Sequence, residues 1–333
     1  MKKSISILSL FLFISFSISA KNHVKIATIG AVSPSLDLNN EPQKLVEQMI
    51  GFWEAELSKV LPDNPDLIVL PEVCDRPAGM DEETRLNYYK TRDNQILDYF
   101  ASVAKENNCY IIYGAMRLLE DGSWRNSAII LDRKGSVSGI YDKNFPTIGG
   151  MERGTKAAKD APVFQCDFGT VACAVCFDLN FDELRLRYAA QNPDLIVFPS
   201  LYHGGLVQAN WAYSCRAFFV GSIGIRNLPS QIRNPMGKVV ATSTNYFHFI
   251  VSTVNLDYCI AHLDDNWIKL REMKKRYGED VIISDPGEIG AVLITSESEN
   301  VTAKEMAKEF EILLLDDYLN NSREFRHNPG MME

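Results

Sequence analysis

Histidine is scarce in this chain, and positive charge is outnumbered. Five histidines and 34 lysines and arginines stand against 43 acids, a formal net charge of −9. A surface of that sign does not suit nucleic acid, so no nucleic-acid partner is expected. His23, His203, His248, His262 and His327 fall at no paired spacing, so no metal site and no cofactor are expected. Linker-like and low-complexity stretches are missing as well, which gives no natural place to divide the chain and points to one main domain. Apolar runs long enough to cross a membrane comfortably are also lacking. The strongest candidate, residues 5–16, is too short. It follows Lys2 and Lys3 and leads into Ser17-Ile18-Ser19-Ala20, the pattern of a signal peptide over residues 1–20, cleaved near Ala20. The expectation is an exported protein, periplasmic or secreted, without stable membrane association after cleavage.

What the chain does have is enough apolar material for a large core: 333 residues, 46% of them hydrophobic and 23% charged. It also has seven cysteines, an odd number, scattered and mostly inside apolar runs. Buried reduced thiols, with one of them reactive, are expected rather than a disulfide framework.

Strand-like runs occupy 24–31, 66–70, 109–116, 124–131, 137–141, 163–168, 171–175, 195–198, 219–225 and 249–256. Between them, helical spacing of apolar residues predicts helices over 41–57, 94–107, 183–191, 209–218, 264–277 and 302–320. Two segments echo each other. Pro65-Asp66-Leu67-Ile68-Val69-Leu70-Pro71 matches Pro193-Asp194-Leu195-Ile196-Val197-Phe198-Pro199 at all but one position. Each follows a helix, as expected of two similar half-units, so two β-sheets packed face to face under helices are predicted. The echo breaks at its end, where Glu72 in one copy faces Ser200 in the other. A carboxylate at the mouth of a buried strand is costly unless paired or used.

The central stretch is 169–199. An apolar run delivers Cys176 to a short polar turn before a helix, a common mounting for a nucleophile. Taken alone, a cysteine there is more often a small core residue. Two other strand ends change that weighing: Leu-Pro-Glu72, and Tyr-Asp-Lys143 at the end of a hairpin strand. Together with Cys-Phe-Asp-Leu-Asn-Phe from Cys176, in this order, these segments closely resemble the nitrilase superfamily of carbon–nitrogen hydrolases across about residues 24–295. The resemblance implies a four-layer αββα sandwich, with residues 21–300 as the hydrolase domain and 301–333 as a C-terminal helix and tail. It implies a catalytic triad of Glu72, Lys143 and Cys176. Glu152 matches a second glutamate that many members carry after the lysine. The sequence departs from the family's Pro-Gly pair just downstream, at Ala157-Ala158-Lys159-Asp160. It also implies a small amide or nitrile as substrate and assembly as a homodimer or larger homo-oligomer.

The chemistry expected of these groups is acyl transfer through a thioester. Glu72, buried beside the thiol and so with a raised pKa, shuttles the proton. Lys143 and a backbone N–H near Phe177 hold the oxyanion. Phe177, Asn180, Tyr202 and His203 are placed at the pocket rim as substrate contacts. Amide or N-carbamoyl hydrolysis is the leading expectation. A nitrilase, an acyltransferase to an amine and a non-catalytic binding protein on the same fold are the alternatives. Cys173 and Cys176 as a redox pair is disfavoured, because on one strand their Cα atoms lie roughly 10 Å apart, beyond disulfide reach.

Overall fold

A computed structural model describes residues 22–332. The expected signal peptide therefore lies outside the described residues. Fifteen strands and nine helices are present among them. The strands, in chain order, are β1 (His23–Ile29), β2 (Leu67–Val69), β3 (Tyr110–Leu118), β4 (Trp124–Leu131), β5 (Val137–Asp142), β6 (Val163–Cys166), β7 (Gly169–Cys173), β8 (Leu195–Ser200), β9 (Phe218–Ile223), β10 (Gln231–Arg233), β11 (Val239–Thr242), β12 (Phe249–Asn255), β13 (Tyr258–His262), β14 (Val281–Ser284) and β15 (Ala291–Ser296). The helices are α1 (Pro42–Leu57), α2 (Glu82–Arg92), α3 (Gln95–Glu106), α4 (Ile148–Glu152), α5 (Asp182–Ala189), α6 (Leu206–Cys215), α7 (Trp267–Tyr277), α8 (Ala303–Glu309) and α9 (Leu315–Phe325).

Two six-stranded sheets carry the fold, in the orders β12-β1-β2-β3-β4-β5 and β11-β10-β9-β8-β7-β6. The alternation of side chains along a strand decides how they stack. Ile26, Leu67, Val69, Ile112 and Ile130 of the first sheet join Val171, Cys173, Leu195, Val197 and Val220 of the second in one core. The intervening residues Ala27, Ile68, Ile111 and Ile129 face outward and meet Trp53 of α1 and Phe100 of α3. On the far side of the second sheet, Leu184 and Tyr188 of α5 and Trp211 and Ala212 of α6 close the core. The result is the expected αββα order of layers. Two hydroxyls stitch the sheets together: Thr28 Oγ1 donates to Gly221 O at 2.9 Å and Ser222 Oγ to Ile29 O at 2.8 Å.

The echoed strands β2 and β8 each pair in parallel on both sides, β2 with β1 and β3, β8 with β7 and β9. Strands buried on both faces read as continuous apolar runs, which is why the two heptapeptides look alike. Parallel neighbours also bring the strand ends to one rim, where loops have room to carry chemistry.

The C-terminal part differs from the expectation. A third sheet, β13-β15-β14, has its own small core with α7 and α8, built from Cys259, Ala261, Leu270, Met273, Val292, Ile294 and Met306. The single helix expected over 302–320 is two helices, α8 and α9. Glu311 takes φ 50° between them and Leu314 is extended, so the backbone cannot run on as a helix. Met306 faces the core of the third sheet, and Phe310 and Leu314 pack on it. Among the described residues no helix is long and apolar enough to cross a membrane.

Candidate active site

Glu72 follows β2 on a backbone that must turn sharply. Val73 takes φ 43°, a strained conformation for a β-branched residue. The strain is held by the neighbouring strand: Cys74 N donates to Gly114 O at 3.0 Å and Gly114 N to Pro71 O at 3.1 Å. The approach is so close that a Cβ on Gly114 would lie 2.5 Å from Glu72 Cα. Cys176 is mounted the same way. β7 ends at Cys173, and Cys176 takes φ 51° as it opens a 3₁₀ turn, Cys176–Asn180. Lys143 follows β5 directly, its N–H donating to Asn126 O at 2.8 Å.

Asp178 ties the lysine loop to the cysteine turn. It is fully buried and accepts from Tyr141 OH at 2.7 Å, Phe145 N at 2.7 Å and Val175 N at 2.9 Å. Residues on both sides of Lys143 and the residue before Cys176 thus hang on one carboxylate. Burial still pushes the Asp178 carboxyl above its ordinary range.

The three groups meet. Lys143 Nζ donates to Glu72 Oε1 at 2.8 Å, and both side chains are almost fully buried, at 4% and 6% exposure. The Cys176 thiol lies beside the same carboxylate and beside Ser200, close enough for both to shift its pKa. Asn126 Nδ2 donates to Glu72 Oε1 at 2.7 Å, and Leu201 N donates to Glu72 Oε2 at 3.2 Å. An ionised carboxylate only accepts, so the Asn126 amide must turn its NH₂ to Glu72; its Oδ1 is buried with no partner.

The electrostatics correct one expectation. Burial pushes Glu72 upward, but the Lys143 charge and the hydrogen bonds from Lys143, Cys176 and Asn126 outweigh it, so its carboxyl sits below its ordinary value rather than above. Burial works against the Lys143 ammonium, but Glu72 and Cys176 beside it hold its pKa above the usual lysine value. Burial and the neighbouring Glu72 charge push the Cys176 thiol up to about 12, against the pull of Lys143. At rest the site therefore holds a thiol, a carboxylate and an ammonium.

Glu72, Lys143 and Cys176 share the wall of a cavity of about 300 Å³ with Asn126, Leu201 and residues of α2. Glu152 does not join them. It is the exposed last residue of the five-residue α4, outside the cavity wall, and Arg153 lines the wall instead. Phe177, Asn180, Tyr202 and His203 are also off the wall, and the first three cluster with one another. Tyr202 OH donates to Asn180 Oδ1 at 3.3 Å, and Asn180 Nδ2 donates to Phe177 O at 3.0 Å. Phe177 packs edge-on against Phe181. His203 Nδ1 accepts from Gly205 N at 3.1 Å, and burial together with Arg233 lowers its pKa.

Sequence reasoning missed Asn126, Asp178, Ser200 and α2 as parts of this site. The signal for α2 was present in its ends: Asp81 accepts from Thr84 N, acids occupy the first turn and Lys90 and Arg92 the last. Its low apolar content hid it.

Comparison with known proteins agrees with the architecture. The family model described as carbon-nitrogen hydrolase matches residues 28–260. Nitrilase homolog 2 of Dictyostelium discoideum is 23% identical over 216 residues, covering 57% of this chain and 65% of that protein. Deaminated glutathione amidase of Rattus norvegicus is 28% identical over 168 residues, covering 45% of this chain and 50% of its own. The chain thus spans about half to two thirds of the length of these relatives. Among solved structures, a mutant of the Nesterenkonia AN1 amidase from the nitrilase superfamily superposes with a TM-score of 0.60 at 13% identity, over 72% of this chain and 93% of that one. The family match spans most of the chain, and this protein belongs to the carbon–nitrogen hydrolase family.

Proposed function

We propose that this protein hydrolyses the carbon–nitrogen bond of a small amide through a thioester on Cys176. The observation that carries the reading is the shared carboxylate: Glu72 holds Lys143 at 2.8 Å with the Cys176 thiol beside the pair, on the wall of one cavity. The amidase-type relative named above supports an amide over other carbon–nitrogen substrates.

In this reading Cys176 Sγ attacks the amide carbon while Glu72 takes the thiol proton. A thiol near 12 and a carboxylate below its usual value make free proton transfer unfavourable. Transfer concerted with attack avoids that cost, because the thiolate is consumed as it forms. The carbonyl π electrons move to oxygen, and the Lys143 ammonium with a backbone N–H near Phe177 stabilises the oxyanion. Collapse breaks the C–N bond, and Glu72 returns the proton to the departing amine. The acyl group stays on sulfur. Water, deprotonated by Glu72, then releases the acid and restores the thiol.

The test is ammonia or amine release from short amides, N-carbamoyl amino acids and nitriles by the reduced protein, with Cys176→Ala in parallel. Amide turnover that falls at least about 10⁴-fold in Cys176→Ala supports the reading. Turnover of nitriles alone moves the assignment to a nitrilase. An unchanged rate in Cys176→Ala, or no turnover of any of these compounds, overturns it.

A further inference from the structure

We propose that the amide handled at this site carries a carboxylate, and that Arg76, Arg85 and Arg153 bind it. This rests on the proposed chemistry at Cys176 and adds the substrate class. The three arginines line the same cavity as Glu72, Lys143 and Cys176. Glu72 and Lys143 neutralise each other, and Glu82 is the remaining acid on the wall. The cavity is therefore left with an excess of positive charge, in a chain whose net charge is −9.

That excess is not consumed by the fold. Arg92, Arg117, Arg133, Arg185 and Arg216 each hold an aspartate. No ion pair of Arg76, Arg85 or Arg153 with a carboxylate is found among the described residues. Asp81 senses Arg85, but its Oδ1 is committed to Thr84 N at 2.8 Å. Arg76 reaches Pro77 O at 3.4 Å and lies beside the Tyr89 hydroxyl, and its Nε is buried without a partner. A buried guanidinium N–H without an acceptor is costly, and an incoming carboxylate supplies one. Guanidinium groups match the two oxygens of a carboxylate in a way a lysine cannot.

The rest of the wall suits a short carbon chain between amide and acid. Tyr89 and Trp124 lie with ring centroids 5.0 Å apart, and Leu86 and Met116 stand on the same wall. A cavity of about 300 Å³ is at the small end of ligand pockets, which favours a compact acid over a peptide.

The experiment compares kcat/KM for matched amides in the full chain. Succinamic and glutaramic acids put the carboxylate on the acyl side. N-Acetylglycine and N-carbamoyl-β-alanine put it on the amine side. Butanamide and pentanamide are neutral counterparts, and 4-aminobutanamide is cationic. At least one anionic amide is expected to exceed its neutral counterpart about ten- to hundredfold, the scale of a charge-assisted hydrogen bond. Arg76→Ala and Arg85→Ala should each lower that ratio tenfold or more, mainly through KM, and Arg85→Lys should recover part of it. A ratio near one in the native chain, a preference for the cationic amide, or a ratio unmoved by every arginine substitution overturns the proposal. In those cases turnover dependent on Cys176 leaves the hydrolase reading standing. Loss of that dependence strikes the hydrolase reading itself.

Discussion

The segments 65–71 and 193–199 are near copies that end in opposite ways. Each forms the centre of its own sheet as β2 or β8, and the two ends meet. The first ends in Glu72. The second ends in Ser200 and Leu201; the Leu201 N–H donates to Glu72 Oε2, and Ser200 stands beside the Cys176 thiol. One copy thus supplies the charge and the other supplies the donors that fix it. The repeated apolar heptapeptide is a matter of core packing, and Glu72 and Leu201 just past it line the cavity. A buried carboxylate is tolerated here because partners from β4, from the loop after β5 and from the end of β8 converge on it.

Breaking the charged end should have the largest effect. Glu72→Gln keeps the shape and removes the base, and should cut amide turnover about 10²- to 10⁴-fold, measured as kcat/KM with correct folding checked by circular dichroism. Lys143→Ala leaves the Glu72 carboxylate buried without its counter-charge and should destabilise the fold by about 3–5 kcal/mol, read from denaturant midpoints. The same pair sets the pH response. Glu72 lies below its ordinary value of 4.5, so its stabilising contribution is complete above that pH and is lost as pH falls through the lower folded value. Lys143 lies above its ordinary 10.5, so its contribution is complete below 10.5 and is lost as pH rises through the folded value. The acid limb of kcat/KM should accordingly fall below pH 4.5 in the native protein.

Smaller changes sharpen the comparison. Gly114→Ala drives a methyl into the Glu72 backbone and should cost about 1–3 kcal/mol of stability together with activity. The effect on activity should exceed that of an overpacking change elsewhere in the core. Ser200→Ala touches the donor end only. Ser200 Oγ also accepts from Tyr202 N at 2.8 Å, so a loss near 1 kcal/mol, or about fivefold in kcat/KM, is expected.

The sequence analysis reached the sandwich and brought Glu72, Lys143 and Cys176 forward because each follows a strand and the three segments together resemble one family, and strand ends are where buried sheets meet solvent. It failed where the deciding contact is distant in sequence. Burial alone argues for a raised Glu72, but Lys143 lies 71 residues away and reverses the direction. Asp178, three residues before Phe181, acts on Phe145 across the structure. Glu152 matches a family pattern in spacing, but it is exposed at the end of α4 and off the cavity wall. The third sheet was hidden because β13, β14 and β15 are short strands, the first two of four or five residues.

The central claim is that Cys176 carries the acyl group and Glu72 serves it. The most direct measurement is the mass of the protein quenched in acid during turnover of a good amide, followed by peptide mapping of all seven cysteines. The account predicts an added acyl mass on the peptide containing Cys176, absent in Cys176→Ala and removed by hydroxylamine. Rapid turnover of the same amide by Cys176→Ala, with no adduct on any native cysteine, would contradict it.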